Sequence, residues 1–340
     1  MRILFVGGTG NISSACTRRA LSMGFEVFHL NRGNRPDRAA PGVVTLTADI
    51  RNPETVKTAL AGLRFDSVVQ FLAYRPEHVR ADLELFDGLA EQYVLISTCS
   101  AYRKPSLSPV ITEDTPLENP FWEYSRLKIA CEAVLREEGT SRSFPFTIVR
   151  PSHTYDDGWI PGVFGSSDYT IPWRMREGKA VVVPGDGQSL WTLTHASDFA
   201  VGLVGLLGNS AALSEAFHIT SDERLTWDAI HAILAEALGV RAETVHIPSD
   251  YIARIRPERG AGLLGDKAVS VLFDNSKIRN LVPEFRPKVT FAEGVRRSLE
   301  WYETRPELQV PNAAVDSEID EILGYWRKAL ALLPKLAVEP

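Results

Sequence analysis

Tyr124 and Lys128 stand four residues apart in the stretch FWEYSRLKIACE, Phe121 to Glu132. Residues at that spacing share one face of a helix. An ammonium beside a phenol favours the phenolate by charge attraction and draws down a group that ordinarily titrates near about 10. Such a pair is an acid/base able to work near neutral pH. Upstream, YVLISTCSAY puts Thr98 at the end of an apolar run, where its hydroxyl can bond a substrate oxygen alongside Tyr124. Thr98, Tyr124 and Lys128 are therefore the candidate catalytic residues. Y-x-x-x-K alone is common, and the bland alternative is a half-buried ring next to a surface charge. Its neighbours in the chain give it weight.

The glycine-rich turn FVGGTGNIS follows the first apolar run and opens a helical pattern. Gly7, Gly8 and Gly10 let the backbone turn tightly and approach a pyrophosphate. With Thr9, Asn11 and Ile12 they deliver it to the positive end of a helix. A lone glycine cluster is weak, but this one sits at the first strand-helix junction of an alternating chain. Ser13 occupies the third glycine position and is small enough for close helix-sheet packing. The expected ligand is a dinucleotide, and Lys128 can also hold its ribose. The second strand ends HLNRG, with Asn31 and Arg32 where an acid would select NAD. A guanidinium from Arg32 or Arg35 suits a 2′-phosphate, which leans toward NADP. Asn31 can also bond a hydroxyl, so NAD stays open. Asp49, beside Ile50, either accepts from the adenine amino group or caps the helix beginning near Pro53.

These residues need a scaffold that gathers them at one sheet edge. Short β-branched runs appear at 3–6, 26–30, 43–50, 67–73, 93–97 and 146–150, with helical patterns at 11–23, 53–61, 78–90 and 122–138 between them. Gly24 suits the C-terminal cap of the first helix. Alternation with continuously apolar strands implies an α/β fold, a Rossmann-type doubly wound parallel sheet covered on both faces. After Pro151 the rhythm changes, with a helix expected at 169–178 and a strand at 179–183. A helix at 197–207 and a strand at 216–220 return to the first sheet, and helices near 226–238, 291–302 and 316–333 follow. The expected domains are 1–150 with 192–222, binding the dinucleotide, and a smaller mixed α/β substrate domain of 151–191 and 223–340.

A chain of 340 residues exceeds one simple core. Its 44% hydrophobic and 24% charged residues are ordinary for a packed protein. A net charge of −6 repels phosphate backbones, so no nucleic acid partner is expected. Three cysteines without C-x-x-C spacing argue against a disulfide framework and against a zinc site, and no metal is expected. No run approaches the roughly 18 apolar residues of a bilayer span, which fits a soluble, cytoplasmic protein with no membrane partner.

Together these features resemble the extended short-chain dehydrogenase/reductases, the NAD-dependent epimerase/dehydratase family. FVGGTGNIS is similar to the family's glycine loop, ISTCSAY to its Ser/Thr segment and YSRLK to its Tyr-Lys pair. DSVVQFLA, at 66–73, resembles the strand that passes the nicotinamide, with Phe71 where histidine is frequent. RPSHTY, GDGQSLWTLTHASD, DNSK and EGVRRSLEWY resemble later family segments. The resemblance implies that Tyr124 is the general acid/base, that Lys128 tunes it and binds ribose, and that Thr98 bonds the carbinol or carbonyl. Leu72, Ala73 and Pro151 would line the cofactor. Tyr74, Cys99, Ser100, His153, Trp191, Arg256 and Arg259 would face the substrate. Asp198 would be structural.

Departures narrow the reaction. Sugar-nucleotide 4,6-dehydratases continue with an Asp-Glu pair where this chain has Cys99 and Ser100, which disfavours dehydration. Trp191 stands where many members place the arginine that grips a substrate diphosphate; Arg256 and Arg259 could compensate. PEHVRADLELF resembles the branch containing chloroplast stem-loop-binding proteins and bacterial epimerase-like enzymes. The leading expectation is an NAD(P)-dependent, epimerase-like oxidoreductase acting on a carbinol or ketone of a sugar or nucleotide-sugar-like small molecule. The alternatives are an NADPH-dependent keto-sugar reductase and a non-catalytic dinucleotide- or RNA-binding protein. Leu83, Phe86 and Leu127 read as outward apolar positions, so a homodimer is expected.

Overall fold

The computed structural model of the chain describes residues 1–34, 39–164 and 168–333. Its centre is a seven-stranded parallel sheet. The strands are β1 (Arg2–Val6), β2 (Glu26–Asn31), β3 (Val44–Thr47), β4 (Ser67–Gln70), β5 (Tyr93–Ile96), β6 (Phe146–Pro151) and β7 (Ala216–Ile219). Their spatial order is β7-β6-β5-β4-β1-β2-β3. The chain runs outward from β1 to β3 and then reverses through β4 to β7. The crevice outside the carboxyl ends of β1 and β4 is therefore the topological switch point, where open α/β sheets bind ligands.

β1 shows why its sequence is continuously apolar. Successive side chains point to opposite faces. Ile3 and Phe5 join a core with helices α1 (Asn11–Ser22) and α5 (Ala196–Leu206). Leu4 and Val6 join another with α2 (Pro53–Ala59), α3 (Pro76–Phe86) and α4 (Glu123–Val134). Both faces are covered, so neither tolerates polar residues. Burying each such side chain contributes about 1.5–3 kcal/mol.

The expected strands and helices of the first half are all present. The runs at 43–50 and 67–73 are trimmed to β3 and β4, because the residues beyond them turn into the crevice. Gly24 follows α1 with φ 76°, and α4 continues as a π-helical turn, Leu135–Gly139. Asn52, not Asp49, caps α2: its side chain accepts from the Thr55 N–H. Asp49 Oδ1 instead accepts from the Arg51 N–H at 2.9 Å.

The chain divides into two units: 1–156 with 192–224 and 271–291, and 157–191 with 225–270 and 292 onward. The segment 271–291, expected in the second domain, packs on the first sheet. Lys288 and Val289 N–H groups donate to Asp198 Oδ2 at 2.9 and 2.8 Å, and Asn275 Nδ2 donates to Thr220 O at 2.9 Å. Asp198 is thus structural, as the family resemblance implies. Within the second unit, Val181–Pro184 pairs in parallel with Thr244–Ile247. The C-terminal helix, Ala313–Ala331, is tied to its own unit by Arg174 bonding Asp316 and Asp320.

One expectation fails outright. Leu83 and Phe86 are not outward-facing; both are fully buried against the sheet. The apolar face of α3 is spent on the core, which removes them as an argument for pairing with a second copy.

Candidate active site

A cleft of about 630 Å³ opens at the switch point. It is lined by Gly7, Thr9 and Gly10 after β1, and by Leu30, Asn31, Arg32 and Asn34 at the end of β2. Ala48, Asp49, Ile50 and Arg51 follow β3, and Leu72 and Tyr74 follow β4. Arg35 lies outside the described residues.

Gly7 and Gly8 are required by close approach. Gly7 has φ 89°, and a Cβ there would lie 2.7 Å from Leu72 Cγ. A Cβ on Gly8 would lie 2.3 Å from the His29 ring, so Gly8 sits under that ring rather than in the cleft. His29 is buried, which pushes its imidazole down to about 4 and keeps it neutral. Thr17 donates to Ser13 O at 2.8 Å, so its oxygen accepts the proton on His29 Nε2, also at 2.8 Å. Ser13 does more than stay small. Its hydroxyl donates to Gly7 O at 2.8 Å and accepts from Gly10 N–H at 2.9 Å, lacing the turn at the start of α1. Asn11 donates to Thr154 O at 2.7 Å, and Ile12 packs on the core. A turn with no room for a side chain at Gly7 or Gly8, opening a 12-residue helix beside a cleft, fits a dinucleotide pyrophosphate.

Beyond Tyr74 of the cleft wall lie the candidate catalytic groups. Lys128 is buried on α4, and its Nζ donates to Ala73 O at 2.8 Å and Ile96 O at 2.7 Å, just past β4 and β5. Two of three N–H donors are thereby used, leaving one for a ligand hydroxyl. Desolvation draws Lys128 down to about 8. Its Nζ lies 4.7 Å from the Tyr74 ring centre and 6.0 Å from that of Tyr124. The two rings are 6.5 Å apart. Tyr74, which lines the cleft, therefore joins it to the Tyr-Lys pair. Thr98 Oγ1 lies 3.0 Å from Ser100 Oγ, which lies 2.7 Å from Ser125 Oγ, and all three are buried.

A buried ionic network supports this corner. Glu132, one helical turn beyond Lys128, accepts from Arg150 Nε at 2.9 Å and Nη2 at 2.6 Å, and from Ser97 Oγ at 2.5 Å. Arg150 Nη1 donates to the Tyr102 oxygen at 3.0 Å. His218 Nε2 lies 2.8 Å from a carbonyl, Asp274 O, so it carries the proton. Its Nδ1 then accepts from the Tyr102 O–H at 3.0 Å. Burial holds His218 down near about 4.

Several residues expected at the ligand lie elsewhere. The Cys99 thiol donates to Arg150 O at 3.2 Å within a small apolar cluster with Tyr102, Ile111 and Val271, so it packs rather than reaches for substrate. Trp191, expected to face the substrate, is 3% exposed and stacks on Trp227 with centroids 4.5 Å apart. Arg259 is ion-paired to Glu318 at 2.6 Å and Arg256 to Glu321, both acids on the C-terminal helix. Those pairs neutralise the guanidiniums expected to compensate for Trp191. Pro151 ends β6, buried, and His153 opens the short strand His153–Tyr155 beyond it. Sequence reasoning missed Arg51, which lines the cleft and donates to Leu72 O, and also Ser125, Glu132 and Arg150. Ser125 and Glu132 left a signal: their three- and four-residue offsets from Lys128 put all three on one helical face.

A seven-stranded switch-point sheet, a glycine cradle and a buried lysine near two tyrosines define a nucleotide-binding α/β protein of the short-chain type. Residues 3–219 match the family described as NAD dependent epimerase/dehydratase, and the chain belongs to that family. It is 27% identical over 259 residues to chloroplast stem-loop binding protein of 41 kDa b from Arabidopsis thaliana, covering 72% of this chain and 65% of that protein. The match thus spans less than two thirds of that relative's length. It is 25% identical over 292 residues to 2'-dehydrokanamycin reductase from Streptomyces kanamyceticus, covering 85% of this chain and 81% of the relative. Among solved structures, UDP-glucuronic acid 4-epimerase from Bacillus cereus, in complex with UDP-glucuronic acid and NAD, superposes with a TM-score of 0.72. Its identity is 19%, over 89% of this chain and 99% of that one. UDP-glucose 4-epimerase from Thermus thermophilus, in complex with NAD, gives a TM-score of 0.71 at 22% identity, over 90% and 100%. The family match supports a nicotinamide dinucleotide cofactor. Among the described residues no helix is long and apolar enough to cross a membrane.

Proposed function

We propose that the protein is an NAD(P)-dependent, epimerase-like oxidoreductase acting on a carbinol or ketone of a sugar-like substrate, with Tyr124 as acid/base. The observation that carries this is the buried Lys128 ammonium, held by Ala73 O and Ile96 O beside Tyr124 and reached from the dinucleotide cleft through Tyr74. The bound cofactor supplies or accepts hydride at the substrate carbon. Tyr124 gives a proton to the substrate oxygen on reduction and takes it back on oxidation. Lys128 stabilises the phenolate left behind and offers its remaining N–H to a ribose hydroxyl. Thr98 bonds the same substrate oxygen. Gly7, Thr9, Gly10 and the start of α1 would hold the pyrophosphate, and Asp49 and Ile50 the adenine. Asn31 Oδ1 already accepts from Gly33 N–H at 2.9 Å, while Arg32 and Arg51 both line the cleft. That arrangement supports a 2′-phosphate, and so NADP.

The alternative, an NADPH-dependent reductase of a keto-sugar, has support from one observation in the second unit. Arg256 and Arg259, the side chains read as compensating for Trp191 at a substrate diphosphate, are ion-paired there, and Trp191 stacks on Trp227. This supports a sugar without a nucleoside diphosphate.

The test is a panel of UDP-glucose, UDP-glucuronic acid and 2'-dehydrokanamycin, each with NAD, NADP, NADH and NADPH, followed at 340 nm and by product analysis. Turnover that Tyr124→Phe lowers by about 10²- to 10⁴-fold, with dinucleotide binding retained, supports the reading. Absence of dinucleotide binding, or a variant as active as wild type, refutes it. A protein that binds dinucleotide and stem-loop RNA but turns nothing over is the non-catalytic alternative.

A further inference from the structure

Thr98, Ser100 and Ser125 form a buried chain of three hydroxyls, with oxygens 3.0 and 2.7 Å apart, between the end of β5 and the first turn of α4. Each hydroxyl has one proton to give and two lone pairs to receive. Thr98 Oγ1 also accepts the Ser100 N–H at 3.2 Å. Asn119 clamps the same corner: its Nδ2 donates to Ser100 O at 2.8 Å, and its Oδ1 accepts from the Phe121 and Trp122 N–H groups at 3.2 and 3.1 Å. The oxygens are thus fixed, and only the protons are left to choose a direction.

We propose that Ser100 and Ser125 are positioning residues that hold the Thr98 proton on the substrate oxygen. This rests on the hydride-transfer reading above. Ser125 donates to Ser100 and Ser100 donates to Thr98, whose two lone pairs are then filled by the Ser100 O–H and N–H. The Thr98 proton is left to point outward, to a carbonyl oxygen on reduction and to the carbinol oxygen on oxidation, while the single carbinol proton goes to Tyr124. Burial makes each bond worth keeping. A carboxylate in place of Ser100 could only accept, and would draw the Thr98 proton away from the substrate.

Two measurements test this. Neutron diffraction from wild-type crystals exchanged into D2O is expected to place deuterium along both the Thr98–Ser100 and Ser100–Ser125 lines. Deuterium on Ser100 and Ser125 pointing to backbone carbonyls, with neither line filled, overturns the proposal whatever the enzyme's substrate. On the panel member that wild type turns over, Ser125→Ala and Ser100→Ala are expected to lower kcat about tenfold, the size of one lost neutral hydrogen bond. KM for the dinucleotide and the unfolding midpoint should be unchanged, and Ser125→Thr should restore kcat. Wild-type kcat in Ser125→Ala, or a loss not rescued by threonine, overturns it. If no panel member is turned over, the functional reading falls while the neutron map still decides the hydroxyl chain.

Discussion

Removing the Glu132 carboxylate should destabilise the first unit more than any nearby surface change. Glu132 and Arg150 are each 1% exposed and meet through bonds of 2.9 and 2.6 Å, with Ser97 on the same carboxylate at 2.5 Å. At a charge separation of about 4 Å and an effective dielectric near 20, the Coulomb attraction is about 4 kcal/mol. Glu132→Ala forfeits that attraction and leaves the Arg150 guanidinium buried, its remaining partners among the described residues being the Tyr102 oxygen and Glu113 O. Breaking a buried pair from one side costs about 3–5 kcal/mol. Urea unfolding followed by far-UV circular dichroism should show a loss in that range. The double variant Glu132→Leu/Arg150→Met should recover most of it, because an apolar pair restores packing without a stranded charge. A single-variant loss below about 1 kcal/mol, typical of an exposed pair, would refute the claim that this network clamps α4 to β5 and β6. So would a double variant no better than the single one.

Gly8→Ala should destabilise by about 1–3 kcal/mol through overpacking against His29 and weaken NADH binding seen by fluorescence. Gly10→Ala, whose Cβ would meet only Ser13 Oγ at 3.4 Å, should stay close to wild type. Asp82 is buried, bonded to Gln70 at 2.8 Å and Tyr93 at 2.7 Å, with Oδ1 unpartnered, and desolvation pushes it up to about 7. Its folded form holds a proton that the unfolded chain releases near about 4. This contribution to stability is full below that value, falls as pH rises, and is lost by about pH 7. Urea midpoints across that interval should slope less in Asp82→Asn than in wild type; an unchanged slope would remove Asp82 as the cause.

Features written within one helix turn or one strand-helix junction were legible. Tyr124 and Lys128 face one way because their spacing is one helical turn. Gly7 and Gly8 announce a turn that side chains cannot enter. What depended on distant partners was not. Trp191 and Cys99 read as substrate groups until Trp227 and Arg150 O occupied them. Arg256 and Arg259 read as free cations until the C-terminal helix supplied Glu318 and Glu321. Leu83 and Phe86 read as outward because an isolated helical stripe does not say which side holds the sheet.

By itself, then, the sequence determined the alternating elements, the phosphate-binding turn and the Tyr-Lys pair, because periodicity and backbone sterics act over a few residues. Only the tertiary structure decided that Ser13 laces the turn, that Tyr74 joins cleft to acid/base, and that Glu132 meets Arg150 and Ser97. Burial and pairing are set by segments remote in the chain, and a side chain's chemistry follows from what those segments leave exposed.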